Sequence, residues 1–338
     1  MNELEVSVII VALNEEQSLP VLLGDLRRQG YNHARMEVLL VDSMSRDKTR
    51  DMMEGFALDH DFKRVVCLEN PNRIQASGWN AALEEAGGDI IIRLDAHASV
   101  PADFVEKNVS CILEGHDICG GKVKNHMPEE TPWKLVLNAA ENSMFGGSVA
   151  AFRRREKAGN VDTLAVAAYR REVFEETGRF NETLYRTEDN EMHYRMRQNG
   201  FYFYYDPRIE SSRETRPGFI KLSRQKYKNG YWIGRTIKIC PGCVSVYHLV
   251  PCLFLSAIPV TAALAYIGIW QPAACMWLMY AAAAVFMTIA AFVNEERNLL
   301  FLTLPALFFV LHISYGAGTW LGLFTIRKVN SPQQSAKT

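Results

Sequence analysis

Residues Val6–Leu13 (VSVIIVAL) form a near-continuous apolar run rich in β-branched side chains. Such a run predicts a strand buried on both faces. Leu19, Leu22, Leu23 and Leu26 then recur at helical spacing and Gly30 closes the pattern, so a helix is expected over Asn14–Gln29. Met36–Val41 repeats the strand signature, the polar turn Asp42–Lys48 follows, and Thr49–Leu58 reads as a second helix. Arg64–Leu68 is a third strand, Ile74–Glu85 a third helix ending before Gly87–Gly88, and Asp89–Leu94 a fourth strand. Strand and helix alternate through short connections, which predicts an α/β domain with a parallel sheet covered by helices.

The pattern changes after about residue 240. Three long apolar stretches follow, Val244–Trp270, Ala273–Val293 and Leu299–Phe324. Each is long enough to cross a hydrocarbon core of about 30 Å. Tyr247, Tyr266, Trp270 and Trp320 lie near stretch ends, where aromatic rings favour the interface. The alternative, buried helices of a soluble domain, leaves almost no polar face for water. Lys221, Arg224, Lys226, Lys228, Arg235 and Lys238 precede the first stretch, so the positive-inside rule places the N-terminal part in the cytoplasm. Three full spans would then put Arg327, Lys328 and Lys337 on the far side. Either those charges lose to the larger cluster, or one stretch only dips into the membrane. Pro251 and Pro259 make the first stretch the candidate for a break.

Composition narrows the class. With 338 residues there is room for one α/β domain and a membrane module. The domains expected are 1–235, 236–328 and a polar tail over 329–338. A formal net charge of -1 gives no argument for a nucleic-acid partner. Met1–Glu5 has no signal-peptide pattern, so the first domain is expected not to be exported. The seven scattered cysteines fit a reduced protein. Cys240-Pro241-Gly242-Cys243 is a lone Cys-x-x-Cys, short of the two further ligands that a zinc site needs.

In open parallel sheets, ligands bind at the carboxyl ends of strands. Here those ends carry Ala12–Glu15, Asp42–Ser45, Asn70–Arg73 and Asp95–His97. Neither a Gly-x-Gly-x-x-Gly fingerprint nor a Gly-Lys-Ser/Thr phosphate loop is present, which argues against a dinucleotide dehydrogenase and an ATPase. Arg93-Leu94-Asp95-Ala96-His97 delivers an acid and a histidine into one loop. A divalent cation there would steady the charge of a departing diphosphate. Oxygen ligands suit Mg²⁺ and Mn²⁺, and imidazole suits Mn²⁺ better. Thr187-Glu188-Asp189-Asn190-Glu191 reads as a helix start. Its acids suit the helix dipole alone, or supply a base for an acceptor hydroxyl. Asp42 could accept from a base or ribose, and Ser45 or Asp47 could simply cap the next helix.

The ordered set resembles the family 2 glycosyltransferases of GT-A fold. Val11-Ala12-Leu13-Asn14-Glu15 resembles that family's opening turn. Asp42-Ser43-Met44-Ser45-Arg46-Asp47-Lys48-Thr49 resembles its Asp-Asp-Gly-Ser-x-Asp-Gly-Thr segment. Asp95-Ala96-His97 stands at its Asp-x-Asp and Glu188-Asp189 at its Glu-Asp. The similarity spans about residues 5–235. Val161-Asp162-Thr163, Tyr169-Arg170-Arg171 and the trailing apolar helices look most like the succinoglycan glucosyltransferase branch. The resemblance implies that Ala12, Glu15 and Asp42 hold the nucleoside and that Arg73 lies near the phosphates. It implies that Asp95 approaches ribose or sugar, that Asp95 and His97 face a Mn²⁺ or Mg²⁺ ion, and that Asp189 is the base of an inverting transfer. It favours a UDP-sugar donor, UDP-glucose first, and a lipid-linked saccharide acceptor in glycan assembly at the inner membrane. Ser43 and His97 replace two acids of the family pattern.

Weaker signals remain. Gln225-x-x-Lys228-Asn229 stands where processive members carry Gln-x-x-Arg-Trp, which points to one sugar per encounter. The same basic stretch suits contact with anionic lipid headgroups. Gly146-Gly147 before Phe152–Arg155 suggests a mobile basic loop, and His312 with Tyr315 marks the last apolar stretch. Direct transfer to polyprenyl phosphate is a rival reaction, and a non-catalytic membrane scaffold is a rival of another class.

Overall fold

A computed structural model describes residues 4–127, 130–147, 155–214, 218–294 and 298–325. The chain divides into two compact units. The first takes in residues 1–126 and 150–215, and the second residues 127–149 and 216–328. The tail beyond 325 and most of the segment Phe152–Arg155 lie outside the described residues.

The first unit is built on the predicted strands. β1 (Val6–Ala12), β2 (Met36–Asp42), β3 (Arg64–Glu69) and β4 (Ile90–Asp95) pair in parallel. Between them run α1 (Leu19–Arg27), α2 (Thr49–Leu58) and α3 (Gln75–Glu85). β1, β2 and β4 are mostly apolar because both faces are covered, and the polar residues within them, Ser7, Glu37 and Arg93, are buried and paired. Val8, Ile10, Val38, Leu40 and Ile92 pack on the α1 and α2 side. Ile9, Leu39 and Ile91 pack on the α3 side with Trp79. Each such side chain contributes about 1.5–3 kcal/mol by leaving water.

After β4 the sheet becomes mixed. β5 (Ala98–Ser99), α4 (Phe104–Leu113) and β6 (Ile118–His126) follow. Then come β7 (Gly159–Val161), β8 (Ala167–Arg170), α6 (Arg171–Thr177), α7 (Glu188–Gln198) and β9 (Phe203–Glu214). The strand order is β3-β2-β1-β4-β8-β6-β9-β5, with β7 paired to β9. β6 bulges between Gly120 and Lys122. Gly121 lets the strands approach there, since a Cβ would stand 1.9 Å from the Ile209 carbonyl oxygen.

The second unit holds α5 (Pro132–Asn142), α8 (Phe219–Ile239), α9 (Val250–Tyr266), α10 (Gln271–Asn294) and α11 (Leu304–Phe324). Val246–Tyr266, Gln271–Val293 and Leu299–Phe324 are helical and long and apolar enough to cross a membrane. Pro259 sits inside α9 without ending it. No disulfide joins any of the seven cysteines, Cys240 and Cys243 included.

One predicted element is shorter than its pattern. The first helix starts at Leu19, not Asn14. Asn14 has φ 56, outside the helical region, and its backbone N–H donates to Ser45 Oγ at 2.9 Å. The Glu15 N–H donates to Thr49 Oγ1 at 2.8 Å, and the Glu16 N–H to Asp47 Oδ2. These amides tie the β1 loop to the β2 loop instead of opening a helix.

Candidate active site

Every described non-glycine residue with positive φ lies just past a strand of the parallel half. They are Asn14, Met44 and Arg73, after β1, β2 and β3 respectively. Backbone held in this region costs free energy and concentrates where function over-determines the conformation. The strained turns therefore point to the carboxyl edge as the candidate site.

Two groups of side chains occupy that edge. The first surrounds Asp42, whose carboxylate accepts from the Ser45 N–H at 3.1 Å. Asp42 is buried and lies level with Ala12 on β1 and with Glu69 on β3. The Ser43 N–H donates to the Ala12 carbonyl, and Asn70 Nδ2 donates to Ser43 Oγ at 2.9 Å. Arg73 Nη2 reaches the Met44 carbonyl at 3.4 Å. Asp47 spends its carboxylate on Thr49 and Glu16, which is the ordinary turn-capping role.

The second group surrounds Asp95 at the end of β4. Asp95 is level with Val11, so β1 separates it from Asp42, about 10 Å across two strand spacings. Alternation puts Asp95 on the side of Val11 and Asp42 on the side of Ala12, so the two acids straddle the sheet edge. Gln75 Nε2 lies 3.4 Å from Asp95 Oδ1. His97 Nδ1 stands 3.5 Å from Glu15 Oε1. The Glu15 carboxylate, helped by the charge of Asp95, raises the His97 pKa above its ordinary value against the effect of burial. Glu15 thus stands beside His97.

Asp189 enters on the same side. Arg93 precedes Asp95 by two positions, so both project from one face of β4. Arg93 Nη2 stands 2.9 Å from Asp189 Oδ1. The guanidinium is nearly fully buried, 4.5 Å from the Trp79 ring centroid and 4.8 Å from that of Phe180. A buried cation needs a partner, and Asp189 is it. Burial pushes the Asp189 carboxyl up, but Arg93 outweighs that and holds it below the usual range. Oδ1 is buried, whereas the side chain as a whole is 38% exposed, which leaves the carboxylate open on its other side.

The wall behind Asp189 was not legible as a site. His193, one turn further along α7, is buried, with Nδ1 2.7 Å from Thr163 Oγ1 and Nε2 3.3 Å from Tyr169 Oη. Burial lowers the His193 pKa to about 4, so the ring is neutral. Glu188 is buried with Oε2 unpartnered, and burial together with the charge of Asp189 raises it to about 8. Arg170 and Arg171 are anchors, donating to the carbonyls of Ile112, Ala86 and Gly88. The sequence signals for the wall were Arg93, a charge inside the mostly apolar run of β4, and Thr163 and Tyr169 within the two triplets that resemble a family branch.

Among the described residues, no three His, Cys, Asp or Glu side chains form a group able to hold a metal ion. Asp95 and His97 offer a carboxylate and an imidazole at one loop. That donor set fits a divalent cation whose other ligands are substrate oxygens and water.

The sequence profile of glycosyl transferase family 2 matches residues 7–178. The chain is 27% identical over 322 residues to a Methanococcus voltae protein, covering 92% of this chain and 95% of that one. That protein is named dolichyl N-acetyl-α-D-glucosaminyl phosphate 3-β-D-2,3-diacetamido-2,3-dideoxy-β-D-glucuronosyltransferase. This chain is also 27% identical over 333 residues to the succinoglycan biosynthesis protein ExoA of Rhizobium meliloti, covering 95% of this chain and 96% of that one. Among solved structures, the mannosyltransferase PcManGT of Pyrobaculum calidifontis, in complex with GDP-Man and Mn²⁺, aligns with a TM-score of 0.58. The alignment covers 93% of this chain and 88% of that one at 18% identity, a likeness of fold.

Proposed function

The chain belongs to glycosyl transferase family 2, and from that membership we propose that it moves a sugar from a nucleoside diphosphate sugar to a lipid-linked saccharide, with inversion at the anomeric carbon. The observation that carries the reading is the Arg93–Asp189 pair on the strand that ends in Asp95. Two relatives support the acceptor class. One is named for adding a sugar to a dolichyl-linked monosaccharide and the other for succinoglycan biosynthesis, and both align along nearly the whole chain.

The roles we propose are those that the family resemblance implies, and the placement of the residues at one sheet edge supports them. Asp42 and Ala12 receive the nucleoside, and Arg73 approaches the phosphates. Asp95, two strands away, meets the ribose or the donor sugar. Asp95 and His97 would hold the Mn²⁺ or Mg²⁺ ion, with Glu15 orienting the imidazole. When bound, that ion would neutralise charge on the departing diphosphate. Asp189 accepts the proton of the acceptor hydroxyl as its oxygen bonds to the anomeric carbon and the bond from that carbon to the diphosphate oxygen breaks. Arg93 keeps the base ionised and fixed, with one oxygen toward the acceptor. UDP-glucose is the donor to try first.

The apolar helices suit an acceptor that resides in a bilayer. We place the catalytic part, about residues 1–235, on the cytoplasmic side of the inner membrane, with the membrane module over 236–328.

The test is a donor screen on the detergent-purified protein with a lipid extract, scoring nucleoside diphosphate release with and without Mn²⁺. One donor should release diphosphate only when lipid acceptor is present. Asp189→Asn should lower that turnover by about 10²–10⁴, the usual worth of a general base. A variant as active as the parent would end the assignment of Asp189 and favour the scaffold reading.

A further inference from the structure

α8 and α11 lie against each other with their backbones in contact. A Cβ at Gly230 would stand 2.0 Å from the Tyr315 carbonyl oxygen, and one at Gly234 2.3 Å from that of Thr319. From the other side, Gly318 meets the Tyr227 carbonyl at 2.0 Å and Gly322 that of Tyr231 at 2.1 Å. Small residues four apart on both helices permit this approach. The paired residues ascend together, so the helices run parallel. Leu222 shares a cluster with Phe308 and Leu311 at one end. At the other end Arg235 Nη1 donates to the Thr325 carbonyl at 2.8 Å and Lys238 Nζ at 3.3 Å. Cations there satisfy the last carbonyls of α11 and suit its dipole.

α8 therefore accompanies α11 along almost its whole length, and α8 is not apolar. On the side away from its glycines it exposes Lys221, Arg224 and Lys228. A crossing α11 would drag these charges through hydrocarbon, a costly arrangement. α9 and α10 differ. Val250–Asn294 contains no charged residue. Only 6% and 11% of their spans are buried by protein, against 33% for that of α11.

The meeting point of α9 and α11 agrees. In an up-down-up bundle, the start of α9 lies level with the start of α11. Here the Pro251 carbonyl oxygen stands 2.6 Å from where a Gly316 Cβ would be. That is twelve residues beyond Leu304, or about 18 Å along the helix. Trp320 Nε1 also donates to Ser256 Oγ at 2.8 Å. α9 thus begins beside the far half of α11, near the end that α8 caps.

We infer that α9 and α10 alone cross the bilayer, as a hairpin, and that α11 stays beside α8 without crossing, leaving the chain before α9 and the chain after α11 on one side. α10 meets α11 and the turn before it from its middle onward, where Tyr280 Oη stands 3.0 Å from His312 Nδ1 and Phe292 packs on Phe301. The bilayer surface is met near the end of α11 by Leu321 and Phe324, both exposed. The placement also removes the charge conflict of a three-span chain. Arg327, Lys328 and Lys337 then share a side with the cations of α8. The inference rests on membrane association but not on the reaction.

Sidedness tests it. Cysteines are placed at Leu299 (Leu299→Cys) and appended after Thr338 in the full chain. An impermeant maleimide is applied to intact cells and to inverted, carbonate-washed vesicles. Labelled peptides are read by mass spectrometry, with the exposed native Cys67 reporting the side of the catalytic unit. Both new sites should label together with Cys67, in one preparation and not the other. Labelling of Leu299→Cys and the appended cysteine from opposite sides would overturn the inference. A second measurement uses the unmutated chain with alkaline phosphatase fused after Thr338. It should be inactive, as for a cytoplasmic fusion, and an active fusion would equally overturn the proposal. Retention after carbonate is read separately from turnover, so failure here leaves the proposed reaction standing.

Discussion

Arg93 Nη2 and Asp189 Oδ1 stand 2.9 Å apart, and the pair joins the interior of β4 to the first turn of α7. The cation lies between Trp79 and Phe180, so neither partner is free to wander. An ion pair this buried on one side gives little net stability but fixes geometry. It sets the direction of the open carboxylate oxygen and the acidity of the group.

Arg93→Gln should therefore alter the pH dependence of turnover as well as its size. With Arg93 present, Asp189 ionises below its ordinary value and stays charged until the pH falls through that lowered value. Without the cation, the largest opposition to burial is gone and the pKa rises. The acid limb of the kcat profile should then move to higher pH. An acid limb that stays in place while kcat falls would assign Arg93 a packing role only.

Glu188 bears on stability with the opposite sign. Its folded pKa of about 8 lies above the ordinary carboxyl value of 4.5 because the side chain is buried beside Asp189. Between those two values the folded state holds a proton that the unfolded state has lost. Stability should fall as pH rises from 4.5 to about 8, and be unaffected by this group below 4.5. Glu188→Gln removes the titration. Its apparent Tm should match the parent near pH 5 and exceed it by a few degrees near pH 8.5, since 1 kcal/mol shifts Tm by about 2–4 °C at this size. Parallel Tm curves for the two proteins would refute it.

Much of this site is readable in the sequence, for a physical reason. β1, β2 and β4 are buried on both faces, so their apolar runs end where the chain must turn polar. Asp42 and Asp95 mark those ends. Asp189 was readable only as part of a helix start, because its partner Arg93 sits within a strand and no spacing rule links the two. His193 gave no signal for the same reason, and Thr163 and Tyr169 stood out only within the two triplets that resemble a family branch. The left-handed turn at Asn14 overrode a helical pattern because its amides bond the next loop. α5 gave no signal, since a short amphipathic helix between two strands has no distinctive period. The charges of α8 pointed to the membrane surface, but its glycine face gains meaning only against the carbonyls of α11.

The cation site makes a prediction by ligand chemistry. Asp95 and His97 supply few donors, so chelation with EDTA should stop turnover and Mn²⁺ should restore it better than Mg²⁺. His97→Asp replaces imidazole with a hard oxygen donor and should move the preference toward Mg²⁺. His97→Ala should raise the Mn²⁺ concentration for half activation, by roughly 10-fold or more. Full activity of the parent in EDTA would exclude a metal role for this loop, and an unchanged preference in His97→Asp would exclude His97 alone.

Met44 offers the last test, because two opposing terms can be compared in advance. Its φ of 61 puts a side-chain-bearing residue in the left-handed region, where the family pattern quoted above has glycine. Holding Cβ there costs about 1–2 kcal/mol. Met44→Gly removes that cost but returns about 0.4–1 kcal/mol of backbone freedom to the unfolded chain. The strain is the larger of the two, so the variant should be more stable by up to about 1 kcal/mol. In thermal unfolding Tm should rise by up to about 2–4 °C. Asp42 and Ser45 keep their contact across the turn, so nucleotide affinity should change little. A Tm that falls would mean that the Met44 side chain makes contacts worth more than the strain it imposes.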